Sequence, residues 1–123
     1  MYGSTERKSG QTEFFLVFLS AICGLYTKRV VFTWDHGKAA SNLQKHGVDF
    51  YEAASVFYDP LSSTFPDEEH SEYEFRFLTI GRSSGGLVLV VAHTEDTDSI
   101  RIISARPATR SELKFYEEEH PKS

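Results

Sequence analysis

The sequence predicts an α+β fold, in which an antiparallel meander carries two helices from the N-terminal half and one helix from the C-terminal end. Three runs rich in β-branched and aromatic residues, 74–82, 87–94 and 100–106, predict the strands of the meander. The turns between them, 83–86 and 95–99, are too short for a parallel crossover. Consecutive strands must therefore run antiparallel.

Capping residues predict where the three helices begin and end. Asp35 is a suitable N-cap for a helix over 36–46, and Gly47 is suited to its C-terminal end. A second helix begins at Asp49, in an Asp-x-x-Glu capping box, and ends before Pro60. A third follows the capping box 109–112 and runs to about residue 119. Short strands are predicted at 30–34 and 61–65.

The first two helices have different surface patterns. In the second helix, four apolar residues recur at helical spacing and predict a buried stripe: Phe50, Ala53, Ala54 and Phe57. In the first helix, Ala39, Ala40 and Leu43 form a small apolar stripe. The opposite stripe contains Lys38, Asn42 and Lys45. This stripe is either an ordinary solvated face or a face that contacts phosphate.

Composition limits the classes of function. The chain has 123 residues and a net charge of −5, and its first 30 residues carry +2, so residues 31–123 carry −7. Such an acidic body argues against broad, sequence-independent binding of nucleic acid, although it allows a local basic site. The single cysteine, Cys23, excludes an internal disulfide and indicates a reducing compartment, so we expect a cytoplasmic protein.

The N-terminal segment differs from the remainder of the chain. Its apolar run, 14–26, is shorter than the roughly 20 residues of a membrane-spanning helix, and it lacks a convincing signal-peptide cleavage site. We therefore expect residues 1–29 to form an extension, either as an extra strand or helix or without a settled role, ahead of a domain over residues 30–120. No membrane association is expected.

Five cationic or titratable residues lie on or at the ends of the predicted meander: Arg76, Arg82, His93, Arg101 and Arg106. Strand alternation predicts that Arg101 and Arg106 project from opposite faces unless a bulge intervenes, with Arg106 on the face of Ile100 and Ile102. Each of these residues is individually explained as a solvated surface cation. The five histidines are scattered without metal-ligand spacing, so neither a metal nor a cofactor is expected.

An ordered series of short motifs covers about residues 31–118: Phe32-Thr-Trp-Asp35, Lys38, Asn42, Lys45-His-Gly-Val48, Phe50, Glu52-Ala-Ala54, Val56-Phe-Tyr-Asp-Pro60, Asp67, His70, Phe75-Arg-Phe77, Ile80-Gly-Arg82, Val90, His93-Thr94, Arg101-Ile-Ile-Ser-Ala-Arg106, Ala108-Thr109, Glu112 and Tyr116. This series resembles the BrnT toxins, the ribonuclease halves of BrnT/BrnA toxin–antitoxin pairs. The resemblance implies a fold like that of the RelE-type endoribonucleases and an RNA substrate. It also implies a BrnA-like antitoxin, through whose DNA-binding part the complex contacts operator DNA.

Residue type and motif position together suggest roles for nine side chains. Metal-free RNA cleavage needs cations to stabilise the phosphorane, for which Arg76, Arg101 and Arg106 are candidates, and a proton-transferring group, for which His93 is the candidate. Candidates for binding RNA are Lys38, Lys45, His46 and Arg110, with Tyr116 stacking on a base. The alternative is a non-catalytic protein-interaction module whose sheet edge and helices bind a partner, which the acidic body favours.

Overall fold

The computed structural model describes residues 9–18, 27–70 and 74–119. The strands are β1 (Ser9–Phe18), β2 (Thr27–Asp35), β3 (Ser63–Pro66), β4 (Phe77–Arg82), β5 (Val88–Glu95) and β6 (Ser99–Pro107), and the helices are α1 (His36–His46), α2 (Phe50–Ser55) and α3 (Arg110–Glu119). Single 3₁₀ turns occur at Val56–Tyr58 and Glu68–His70. Among the helices in the described ranges, none is long and apolar enough to cross a membrane.

The six strands form one mixed sheet in the order β1-β2-β6-β5-β4-β3. Strands β4, β5 and β6 pair antiparallel, as does β3 with β4, so the predicted meander and the predicted short strand before it are confirmed. The pairing of β2 with β6 is parallel and joins residues 31–33 to 99–101. The α+β class is therefore confirmed, within a sheet that is larger than the meander. The likeness to RelE-type enzymes stays a prediction.

The predicted capping residues of all three helices are confirmed. The Asp35 carboxylate accepts a hydrogen bond from the Lys38 amide at 2.9 Å, and Gly47 ends α1 with a φ of 73°. The Asp49 carboxylate accepts from the Glu52 amide at 2.7 Å. At the start of α3, the Thr109 hydroxyl accepts from the Glu112 amide while the Glu112 carboxylate accepts from the Thr109 amide. Each such cap contributes about 1 kcal/mol.

Each face of the sheet has its own apolar core. One core contains Phe50, Ala53 and Ala54 of α2, packed with residues such as Leu89 and Val91 of β5. The other contains Val88 and Val90, which alternate with those residues along β5, and packs against α3. We call these the α2 face and the α3 face of the sheet.

Helix α1 buries Asn42, a polar residue that the sequence placed on the stripe opposite the apolar one. Leu43 is 51% exposed, whereas Asn42 is buried. The Asn42 side chain donates to the Ala105 carbonyl at 2.8 Å and accepts from the Ala105 amide at 3.0 Å, and it donates to the Val48 carbonyl at 3.0 Å. At Ala105, strand β6 extends beyond the residues that pair with β2. The side-chain amide of Asn42 therefore bonds the backbone groups of Ala105 that a neighbouring strand would otherwise pair. The predicted faces of α1 are therefore wrong for Leu43 and Asn42, whereas Ala39 packs against the core of the α2 face as the apolar stripe predicts.

A bulge in β6 changes the direction of the side chains that follow it. Ala92 pairs with Ser104 and His93 pairs with Ile102, which leaves Ile103 as an extra residue. Consequently Ile102 and Ala105 both belong to the core of the α2 face, although they are three residues apart. Arg101 and Arg106 lie on the other face together. The bulge is the exception under which the two arginines were expected to share a face, and it makes the predicted placement of Arg106 with Ile100 and Ile102 wrong.

Strand β1 belongs to the N-terminal segment and pairs antiparallel with the whole of β2. Part of the predicted apolar run, residues 19–26, lies outside the described residues. The domain boundary after residue 29 stays a prediction.

We expect a chain that lacks residues 1–29 to remain folded. The deletion removes β1 and three residues of β2, but it leaves intact the pairing of β2 with β6, which begins at Val31. Phe32 and Trp34, both in the core of the α2 face, are retained. Thermal unfolding followed by circular dichroism should show a cooperative transition in both the truncated and the full chain. A transition that is present only in the full chain would place the segment within the core.

Candidate functional site

Three arginines project from the α3 face of the sheet. Arg106 is the cross-strand neighbour of Val90, which lies in the core beneath α3. The guanidinium carbon of Arg82 lies 5.6 Å from the centre of the Tyr116 ring, on α3. Arg101 precedes Ile102, whose side chain is buried on the α2 face, and therefore points to the α3 face. Arg76 directly precedes β4 and is half-buried.

Two of these arginines are bound by carboxylates. The Arg101 guanidinium donates to both oxygens of Glu74, at 2.8 and 2.7 Å. Arg106 forms a two-point pair with Glu112 at 2.7 and 2.9 Å. The hydrogen bond from Arg106 is the main reason that the pKa of Glu112 is lowered to about 2, and hydrogen bonds from Thr109 act in the same direction. Partial burial has the opposite, smaller effect. The two-point pair fixes the guanidinium plane of Arg106, whereas Arg101 donates both of its bonds from one nitrogen in an exposed pair.

The arginines fall at two ends of the α3 face. Arg106 and Arg82 lie at the end that α3 covers. Arg101 lies at the other end, where Thr94 is its neighbour and where the chain entering β4 passes close enough for Glu74 to bind it. At about 3.3 Å per residue, Arg101 and Arg106 are separated by roughly 15 Å along β6. Arg76, two residues after Glu74 in the chain, belongs to the Arg101 end.

His93 is on the opposite face of the sheet from the arginines. Its side chain is 0% exposed, with its Nε2 2.7 Å from the Thr79 hydroxyl and its Nδ1 3.6 Å from a Glu95 carboxylate oxygen. The ring packs edge-on against Phe57 and stacks with Phe77, at centroid distances of 4.9 and 5.9 Å. Desolvation lowers the pKa of His93 to about 4, so the imidazole is neutral at pH 7.

Three of the predicted RNA-binding residues line one cleft between α1 and β6. The cleft has a volume of about 330 Å³ and contains the side chains of Lys38, Lys45 and His46, all of them exposed. Its wall on the sheet side is formed by Ile103 and Ser104 at the bulge of β6. The cleft therefore opens beside the strand segment that separates Arg101 from Arg106.

The other two predicted RNA-binding residues are placed differently. Arg110 is exposed at the first turn of α3. Tyr116 is only 5% exposed, its hydroxyl donates to the Asp59 carboxylate at 2.6 Å, and Arg82 covers its ring. In this arrangement the ring of Tyr116 is part of the α3 core and is not presented to a base.

An exposed acidic turn brings together three side chains with metal-ligating atoms. The ligand atoms of Asp67, Glu69 and His70 all lie within 4.8 Å of one another. The Nδ1 of His70 is 3.1 Å from an Asp67 oxygen, so the imidazole already has a carboxylate partner. Acidic groups at exposed turns are common without a bound ion, and the Asp67 amide donates to the Arg76 carbonyl at 2.8 Å, so the turn lies beside Arg76.

Comparison with known proteins identifies the family. A family model described as the ribonuclease toxin BrnT of type II toxin–antitoxin systems matches residues 34–112. The chain belongs to the BrnT family. A 1.1 Å crystal structure of the Brucella abortus ribonuclease toxin BrnT is similar to it, with 25% sequence identity and a TM-score of 0.49, covering 63% of this chain and 94% of that one. No curated protein matches the chain.

Membership of the BrnT family confirms the resemblance proposed from the ordered motifs. It makes the chain a ribonuclease toxin of a type II toxin–antitoxin system at the level of the family. The matched range includes the four predicted catalytic residues and four of the five predicted RNA-binding residues. Tyr116 lies beyond it.

Sequence reasoning did not assign roles to several residues that shape this region of the BrnT chain. Glu74 and Glu112 orient the two arginines, and the capping position of Glu112, six residues after Arg106, was the available signal. Phe75 is 77% exposed directly beside Arg76. Aromatic side chains next to cations are typical of surfaces that bind single-stranded RNA.

Proposed function

We propose that this protein is an endoribonuclease toxin that cleaves RNA without a metal ion and is held inactive by a BrnA-like antitoxin. The observation that carries the proposal is the bulge at Ile103. It turns Arg101 and Arg106 to one face of the sheet, and the cleft that contains Lys38 and Lys45 opens beside it. Phosphate-binding groups on two elements thus border the same stretch of β6.

Metal-free cleavage is a transfer within the RNA itself. The 2′-hydroxyl gives up its proton as its oxygen attacks the adjacent phosphorus, the bond from phosphorus to the 5′-oxygen breaks, and the 5′-oxygen takes up a proton, so no proton is gained or lost overall. The fragments carry a 2′,3′-cyclic phosphate and a 5′-hydroxyl. The barrier is lowered by cations that bind the charge developing on the phosphorane. A guanidinium suits this role, because its planar fork donates two hydrogen bonds to phosphate oxygens.

Of the four residues predicted to be catalytic, we propose that Arg76, Arg101 and Arg106 contact the RNA phosphates. The carboxylates of Glu74 and Glu112 occupy two of these guanidinium groups in the free protein, where RNA phosphate would replace or join them. His93 is buried on the other face, so we assign to it the support of the sheet beneath the arginines.

We propose that the RNA backbone enters along the cleft of α1. Lys38, Lys45 and His46 are exposed there, and a phosphate held between them would lie beside β6. Arg110 adds a cation at the start of α3. We propose that the protein acts in the cytoplasm, and that operator DNA is bound through the antitoxin, since a chain of net charge −5 is poorly suited to bind DNA alone.

We expect the purified protein to cleave total RNA in excess EDTA at the same rate as in magnesium, because arginines supply the charge that a metal would otherwise provide. Gel electrophoresis of the RNA measures this directly, with protein inactivated by heat as the control. Cleavage in magnesium alone would contradict metal independence, and Asp67→Asn would then show whether the acidic turn holds the ion. Absence of cleavage in both buffers would leave the protein-interaction module as the function.

A further inference from the structure

An apolar groove lies between the edge strand β3 and helix α3. Its volume is about 250 Å³, and it is lined by Phe65 and Ile80 from the sheet and by Ser111, Glu112 and Phe115 from the helix. The rings of Phe65 and Phe115 contact each other across it at a centroid distance of 5.6 Å. The two side chains are nevertheless 37% and 36% exposed.

The groove adjoins the apolar core that holds α3 on the sheet, and Ile80 contributes to both. That core uses Leu113 and Tyr116, which pack with Ile80, Val88 and Val90. Phe115 projects to the side instead, toward the outer strand of the sheet. An aromatic pair left partly exposed at a sheet edge is a typical feature of a protein-interaction site.

One acidic residue, Glu112, lines the groove and is paired with Arg106, and further glutamates lie near both walls in the sequence. On α3, the helical neighbours of Phe115 three residues away are Glu112 and Glu118. On the sheet side, Phe65 is followed closely by Glu68 and Glu69 in an exposed 3₁₀ turn. A partner with apolar side chains flanked by lysine or arginine would therefore complement this surface.

We propose that the groove is the docking site of the antitoxin, which inserts a segment with one or two large apolar side chains and flanking basic residues. This inference rests on the proposed function, because the antitoxin is part of it. The cavity is smaller than the roughly 300–1,000 Å³ of small-molecule sites, and it suits anchoring side chains of a polypeptide.

Docking at the groove explains how binding could block the RNA surface. Glu112 lines the groove and also holds Arg106 through its two-point pair. A basic side chain of the docked segment would be drawn to the same carboxylate, and the segment would continue over the Arg106 end of the α3 face. The antitoxin would thus cover one group of phosphate-binding arginines without entering the cleft of α1.

The test is a binding measurement with the purified product of the open reading frame adjacent to the toxin gene. Phe115→Lys places a cation inside the groove, and we expect the dissociation constant to rise by about 30-fold or more by calorimetry. RNA cleavage by this variant should equal that of the parent. Leu43→Lys is the matched control, since Leu43 is an exposed apolar residue on α1, and its binding should be unchanged.

Each outcome decides the inference. If Phe115→Lys and the parent bind the antitoxin equally well, the proposed docking site is wrong. If Phe115→Lys does not fold, Ser111→Arg replaces it as the test variant, because Ser111 is an exposed residue of the groove. Light scattering that shows a dimer of the parent and a monomer of Phe115→Lys would assign the groove to a second copy of the chain and overturn it as well.

The proposed function and the docking site can fail separately. If the parent cleaves RNA and is neutralised, but both groove variants bind as tightly as the parent, only the docking site is wrong. If the parent cleaves no RNA, the enzymatic proposal fails while the binding data still decide the docking site. If the adjacent gene product does not bind the parent, the antitoxin assignment and the docking site are both wrong.

Discussion

Replacing Arg101 by alanine should lower the rate of RNA cleavage by about 10²–10³, the typical effect of removing a donor to the charge of a transition state. Arg101 lies at the end of the α3 face that the helix leaves open, and its salt bridge with Glu74 is exposed. Exposed pairs contribute only about 0–1 kcal/mol to stability, so the variant should unfold at nearly the temperature of the parent. Cleavage of a labelled single-stranded RNA under single-turnover conditions measures the chemical step.

Lys114→Ala is the control for the loss of a positive charge. Lys114 is exposed on α3, and its replacement should leave the rate unchanged. Arg106→Ala should lose activity like Arg101→Ala, but it also deprives Glu112 of its partner and should destabilise α3. If Arg101→Ala cleaves as fast as Lys114→Ala, the arginine assignment is wrong.

The second large effect concerns stability in acid. The pKa of His93 is about 4 in the folded chain, against an ordinary value of about 6.5 when the chain is unfolded. Between these values the unfolded chain binds more protons, so the free energy of unfolding must fall as the pH falls through this window. The loss should reach about 2 kcal/mol between pH 7 and pH 5, and about 3 kcal/mol by pH 4. Above about pH 7 the residue contributes no pH dependence.

Urea unfolding at a series of pH values between 7 and 5 measures this slope. This pH range excludes the titration of Glu112, because its lowered pKa changes the free energy of unfolding only below the ordinary pKa of 4.5. His93→Gln should be less stable at neutral pH and should lack most of the slope, whereas His46→Gln, at an exposed position, should retain it. A slope that is identical in His93→Gln and the parent would show that another group is responsible.

Local patterns were sufficient to predict much of the fold. Asp35, Gly47, Asp49 and Thr109 mark helix ends because capping depends on residues within one turn of the chain. The meander follows from the shortness of its two turns, which the structure places between β4, β5 and β6. The family match within residues 34–112 agrees with the motifs read from the same region.

The arrangement of the candidate site depends on contacts that a local pattern does not contain. The bulge at Ile103 has no glycine or proline to indicate it, yet it decides the face from which Arg106 projects. Asn42 is buried because β6 extends beyond β2, which is a property of the whole sheet. His93 is suitable for proton transfer by residue type alone, and only its packing against Phe57 and Phe77 shows that it is neutral and enclosed.

The most direct measurement for the central claim is the chemistry of the RNA ends produced in EDTA. Metal-free attack by the 2′-oxygen predicts fragments with 2′,3′-cyclic phosphate and 5′-hydroxyl ends, which polynucleotide kinase labels without prior phosphatase treatment. The parent should produce such ends, and Arg101→Ala should produce them about 10²–10³ more slowly. Fragments with 5′-phosphate ends that appear only when a divalent metal is present would contradict the account.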